Sequence, residues 1–124
     1  MANLLIVDDE LGMRQFLTHL FQREGHVVRV AGNGGEALEQ LRQQAPDLII
    51  SDIRMPDMSG VDLLREAKAL LPEVEVIMMT AFGAPEMTSQ ALLLGVWRVV
   101  TKPFEVHEMA DLVNQAGLWA PARE

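Results

Sequence analysis

The chain contains no cysteine. That excludes disulfides, thiolate zinc sites and a cysteine nucleophile. Its three histidines, His19, His26 and His107, lack the spacing of a histidine metal motif, so the chemistry open to it is that of carboxylates, hydroxyls and amines. Basic charge is scarce too: Lys and Arg number 10 against 18 Asp and Glu, a formal net charge of −8. Nucleic-acid affinity is built largely on Lys and Arg, so no direct nucleic-acid binding is expected. No apolar run approaches the ~20 residues of a membrane helix, and no membrane association is expected. The opening "MANLLIVDDE" has no basic flank before its apolar stretch and two aspartates directly after it, the wrong order for a secretory signal. The expected location is the cytoplasm.

The 124 residues fit one domain, since single domains commonly run ~100–150 residues. We therefore read 1–124 as a single domain, with 119–124 as a terminal tail or the start of a linker. Short branched runs alternate with helical periodicity five times. Strands are expected at Leu4–Val7, Val27–Ala31, Leu48–Ser51, Val74–Met79 and Val99–Thr101. Met13, Phe16, Leu17, Leu20 and Phe21 form one helical stripe, Val61, Leu64, Ala67 and Leu71 a second, and Leu38, Leu41 and Ala45 a weaker third. A helix over Val106–Ala116 closes the set. Gly25 and Gly95 stand where helix-ending glycines belong, Pro46 follows a helix, Pro85 suits a first helical position, and Ser59 with Asp62 resembles a capping box. Continuous apolar strands separated by helices imply a parallel sheet covered on both faces, because parallel strands need crossovers and the crossovers carry helices. The fold class is α/β, doubly wound and flavodoxin-like, with five parallel strands.

In open parallel sheets ligands bind at the carboxyl ends of the strands, where strand order reverses. Here the first strand ends in Asp8-Asp9-Glu10, the third in Asp52, the fourth in Thr80 and the fifth in Lys102. Carboxylates crowded into a low-dielectric crevice repel one another unless a proton or a cation neutralises them. Magnesium suits this inventory, since it favours a few carboxylates, waters and a phosphate oxygen. Arg54, two residues past Asp52, could add a main-chain carbonyl. With the metal in place a carboxylate can attack a phosphoryl group, while ammonium and hydroxyl stabilise the transferring oxygens. Asp52 would become an aspartyl phosphate.

"IVDDE", "DLIISDIRMPDMSG", "IMMTAFG" and "VVTKPF" together resemble a response regulator receiver domain of bacterial two-component systems, in the right order over essentially the whole chain. The resemblance implies that Asp52 accepts phosphate from a sensor histidine kinase, that Asp8 and Asp9 hold magnesium, Asp9 directly, and that Thr80 and Lys102 contact the phosphoryl group. It also implies a cis Lys102-Pro103 bond, an output domain or downstream protein as partner, and a monomer or weak phosphorylation-dependent homodimer. The wording "DIRMPDMSG" with "MTAFG" is similar to receivers of the nitrogen-regulator type that govern transcription. Arg54 and Phe82, each two residues past a site residue, are expected to tune hydrolysis.

The chain departs from the family at its readout. Receivers commonly carry tyrosine or phenylalanine three residues before the lysine, and this chain has Val99. Strand alternation would put Trp97 on the same face as Val99, which suggests Trp97 as a substitute switch residue, with cover for the edge between the fourth helix and last strand as its plainer role. Arg98 stands where the family often has an acidic residue, on the face receivers use to dimerise.

Other functions fit less well. An aspartyl-phosphate phosphatase of the haloacid-dehalogenase type wants a second aspartate where Arg54 stands. A flavin phosphate would be repelled by Asp8-Asp9-Glu10. "AGNGGEAL" lacks the phosphate-loop pattern and reads as a turn before a helix. A phosphorylation-independent docking domain, like a pseudo-receiver, is the remaining alternative. The expected chain is not a conventional enzyme; it assists its own phosphorylation and dephosphorylation.

Overall fold

The structure is a computed structural model that describes residues 2–81 and 85–119, without the side chains of 117–119. Phe82 and residues 120–124 lie outside the described residues. Five strands, β1 (Asn3–Val7), β2 (Val27–Ala31), β3 (Leu48–Asp52), β4 (Glu75–Thr80) and β5 (Arg98–Thr101), alternate with α1 (Leu11–Arg23), α2 (Gly34–Gln43), α3 (Gly60–Leu70), α4 (Pro85–Leu93) and α5 (Val106–Trp119). The sheet is parallel throughout with strand order β2-β1-β3-β4-β5. Its order therefore reverses between β1 and β3, and the crevice lies outside their carboxyl ends.

The apolar strands split by alternation between two helical layers. Leu4, Ile6, Leu48, Ile50, Ile77, Met79 and Val100 pack with Leu17 and Phe21 of α1 and with Met109, Val113 and Ala116 of α5. Leu5, Val7, Ile49, Val76 and Met78 face Ala37 and Leu41 of α2, Val61, Leu64 and Ala67 of α3, and Ala91 of α4. Because every central strand is buried on both faces, its polar residues can be tolerated only at its ends, and that is where Asp52 and Thr80 fall.

Helix ends follow the local signals. Ser59 Oγ accepts from the Asp62 amide and the Asp62 carboxylate from the Ser59 amide, a complete capping box. Gly25 and Gly95 have φ of +88° and +90°, the left-handed region that glycine enters without a Cβ penalty. Pro85 opens α4. Other boundaries and faces differ from the sequence expectation. Helix α2 stops at Gln43, and Ala45, expected on its stripe, is exposed in an extended link, because proline at 46 disfavours helix in the residue before it. Phe16, expected on the buried stripe of α1, is 43% exposed; Leu17 and Phe21 carry the contact instead.

Trp97 also corrects the alternation argument. It precedes β5 rather than lying in it, and the chain bends there before the strand begins. Trp97 packs against the α1–α5 layer with Val100, whereas Val99 packs against the α2–α4 layer with Val96. The two side chains lie on opposite faces of the sheet. Arg98 places its guanidinium 4.7 Å from the Trp97 ring centroid, a cation–π contact that covers the ring from outside.

At the opposite end of the sheet from the crevice, the Ala2 amide donates to His26 Nδ1 at 3.0 Å, so the ring proton sits on Nε2, which is buried. The ring also meets Phe21 edge-on at 6.2 Å between centroids. Burial holds the His26 pKa below its ordinary value. With its folded pKa depressed, His26 contributes stability that is full above its unfolded pKa of ~6.5 and is lost as pH falls through the folded value. Urea denaturation from pH 7.5 to 5 should show wild-type stability falling with a slope of up to about 1.4 kcal/mol per pH unit, one proton's worth. His26→Phe should flatten that slope; equal slopes in both proteins would refute the assignment.

Candidate active site

The crevice is built by the carboxyl ends of β1, β3, β4 and β5. Asp8 follows β1 and is fully buried. Its amide continues the ladder to the Ala31 carbonyl at 3.2 Å. Its Oδ1 accepts from the Glu10 amide at 2.9 Å, and its carbonyl accepts from Arg14 Nη1 of α1 at 2.7 Å, so both its backbone and its side chain are held. Asp52 ends β3, nearly buried, with its Oδ1 3.5 Å from the Arg54 amide. Lys102 is delivered from the far side: its amide pairs with the Thr80 carbonyl at 2.8 Å, and a cis peptide joins it to Pro103.

From there Lys102 Nζ lies 3.3 Å from Asp8 Oδ2 and 3.3 Å from Asp52 Oδ2, bridging two carboxylates 44 residues apart in sequence. The charges act on one another. Burial raises the Asp8 pKa, and the Asp52 charge adds to that, against the Glu10 amide and Lys102, which lower it. Burial alone would make Lys102 easier to deprotonate, but the attraction of Asp52 and Asp8 outweighs it and the ammonium is held above its ordinary pKa.

Thr80 is buried at the end of β4, opposite Thr101 in the β4–β5 register. Its hydroxyl donates to the adjacent Ala81 carbonyl at 3.0 Å, so in this state it is engaged by the turn rather than by a carboxylate.

Sequence reasoning placed Asp8, Asp52, Thr80 and Lys102 at strand ends, and the fold gathers them at one end of the sheet. Oxygens of Asp8, Glu10 and Asp52 lie within 4.8 Å of one another; Asp9, expected as a direct ligand, stands outside that group, and both it and Glu10 are exposed. The turn that follows β1 brings the Glu10 amide onto Asp8 Oδ1, with the Glu10 carboxylate near those of Asp8 and Asp52. The hard, anionic oxygen set fits a small divalent cation. Arg54 is exposed beside it, on the chain that leaves Asp52. Arg14 was missed altogether; its place one helical turn past the carboxylates was the available signal.

The family model for the response regulator receiver domain matches residues 4–114. The chain is 36% identical over 112 residues to sporulation initiation phosphotransferase F of Bacillus subtilis, covering 90% of each chain. It is 37% identical over 113 residues to regulatory protein AtoC of Escherichia coli, of which it spans 24%. Among solved structures, NtrX from Brucella abortus superposes with a TM-score of 0.90 at 29% identity, covering 98% of this chain and 28% of that one. With the parallel five-stranded sheet and the carboxylate–lysine crevice at its switch point, these likenesses show that the chain belongs to the response regulator receiver domain family.

Proposed function

We propose that the chain is a phosphorylation-dependent signalling switch that accepts a phosphoryl group on Asp52 from a sensor histidine kinase. The observation that carries this reading is Lys102 Nζ, equidistant from Asp8 and Asp52 at 3.3 Å. An ammonium held between two carboxylates at the switch point is placed to accept charge from the oxygens of a third anion there.

Asp8 and Asp52 would hold magnesium together with Asp9 or Glu10 and the Arg54 carbonyl, and the ion would neutralise the charge of the incoming phosphoryl group. The chain's own groups do the rest. Asp52 presents a carboxylate oxygen as nucleophile, Lys102 pairs with the phosphoryl oxygens, and Thr80 turns its hydroxyl from Ala81 toward them. Water later attacks the aspartyl phosphate, so the domain assists both its phosphorylation and its dephosphorylation without being a conventional enzyme.

The switched surface centres on α4 and β5, where Leu92 and Leu93 are 60% and 88% exposed. Such a surface would serve an output domain, a downstream protein or a weak phosphorylation-dependent homodimer, in the cytoplasm. The net charge of −8 supports contact with proteins rather than nucleic acid.

Incubation with magnesium and a small phosphodonor should add the mass of one phosphoryl group to the wild-type chain and none to Asp52→Asn. An unchanged wild-type mass would sink the switch and leave the docking-domain reading, which Val99 in place of an aromatic favours.

A further inference from the structure

The segment that leaves β3 after Asp52 is anchored at its base and at its tip. At the base the Ile53 amide donates to the Met79 carbonyl at 2.9 Å, and the Gly60 amide returns to the Ile53 carbonyl at 2.7 Å. The tip is held by Asp57. Its Oδ1 accepts from the Gly34 amide at 3.1 Å and the Met58 amide at 2.9 Å, and its Oδ2 from the Gly35 amide at 2.8 Å.

Gly34 and Gly35 open α2, so Asp57 satisfies two of the four amides that a helix start leaves unpaired. Asn33 Oδ1 takes a third, from Glu36 at 2.8 Å. The approach favours a glycine at 34, where a Cβ would lie 2.3 Å from Met58 Cγ, while one on Gly35 would stand close to Asp57 Oδ2 at 3.3 Å. The three amides hold the Asp57 carboxyl below its ordinary pKa, with Gly35 the largest influence, so the clasp stays ionised through the physiological range.

Arg54, Pro56 and Asp57 are exposed, while Met55 and Met58 reach the α2–α4 core. Burial therefore does little to fix the main chain at Arg54, which lies between the anchored base and the anchored tip.

We propose that Asp57 is a positioning residue: by clasping the start of α2 it fixes the Arg54 main chain relative to Asp52, and so sets how strongly the site takes magnesium. This rests on the receiver reading above. Groups that orient metal ligands from outside the coordination sphere are typically worth ~10–100-fold in metal affinity.

Calorimetric titration of the metal-free chain with magnesium chloride tests this, with urea denaturation run beside it. Asp57→Ala should bind magnesium about tenfold more weakly. Asp57→Asn, which keeps one acceptor oxygen, should fall between it and wild type and serves alone if the alanine variant does not fold. Asp47→Ala is the control: Asp47 Oδ2 accepts from the Asn3 amide at 2.8 Å, at the other end of the sheet. It should lose stability and keep its magnesium affinity. Wild-type affinity in both Asp57 variants, or an equal loss in Asp47→Ala, would overturn the positioning role alone. A wild-type chain that takes no magnesium would overturn the receiver reading and this inference together.

Discussion

Lys102→Met is expected to lower stability at neutral pH by roughly 2–3 kcal/mol, and the loss should shrink as pH falls or magnesium is added. Removing one partner of a buried pair commonly costs ~3–5 kcal/mol because the other charge is left uncompensated. The lower figure allows for partial solvation of Lys102, whose side chain is 16% exposed. The pKa directions fix the window. A lysine with a raised folded pKa contributes stability that is full below its unfolded pKa of ~10.4 and is lost only as pH rises through the folded value. It therefore acts in full at pH 7.

Asp8 runs the other way. Its folded pKa is raised, so the buried carboxylate opposes folding once pH climbs above its folded value, and a proton taken up at lower pH relieves it. Without Lys102 that relief matters more. Urea denaturation of both proteins from pH 4.5 to 8, in chelator and in magnesium, reads the difference. A deficit that is the same at every pH and indifferent to magnesium would show that Lys102 acts through packing rather than charge.

Gly60→Ala is expected to cost at least about 3 kcal/mol and to stop phosphoryl acceptance with it. A Cβ at residue 60 would lie 2.4 Å from the Asp52 carbonyl oxygen, 2.8 Å from Met78 Sδ and 2.9 Å from Ile53 Cα. The methionine could swing away, but the two backbone atoms belong to Asp52 and the residue after it, at the end of β3. Overpacking in a well-packed core costs ~1–3 kcal/mol when side chains can adjust, and more when the obstacle is main chain. Gly60 also starts α3 and donates to Ile53 at 2.7 Å, so relief by moving the glycine would break the base of the loop. The denaturation midpoint and the mass gain with phosphodonor give the two readings. A variant with wild-type stability and a normal mass gain would mean that the loop has slack the structure does not show.

The strand ends were legible in the sequence because continuous branched runs can be buried on both faces only in a covered parallel sheet. A carboxylate, hydroxyl or ammonium that stops such a run must then lie at its edge. Asp8 and Thr80 follow apolar runs directly, and Asp52 and Lys102 each stand one hydroxyl residue past one, after Ser51 and Thr101. The capping box at Ser59 and the left-handed glycines at 25 and 95 were legible for a similar reason: each is decided within four residues of chain.

What failed lies where the period stops. Trp97 was assigned a face by extending strand alternation past the strand, and a bend put it on the other side. The glycines of "NGGE" read as an ordinary turn; that they admit Asp57 and Met58 depends on a segment more than 20 residues away. The parallel layered fold and the polar group that stands at each strand end were legible in the sequence, because alternation and burial act through near neighbours. The tertiary structure alone decided that Lys102 would stand between Asp8 and Asp52, since that meeting depends on crossovers that order β1, β3 and β5 side by side or across the sheet, and no local period encodes that order.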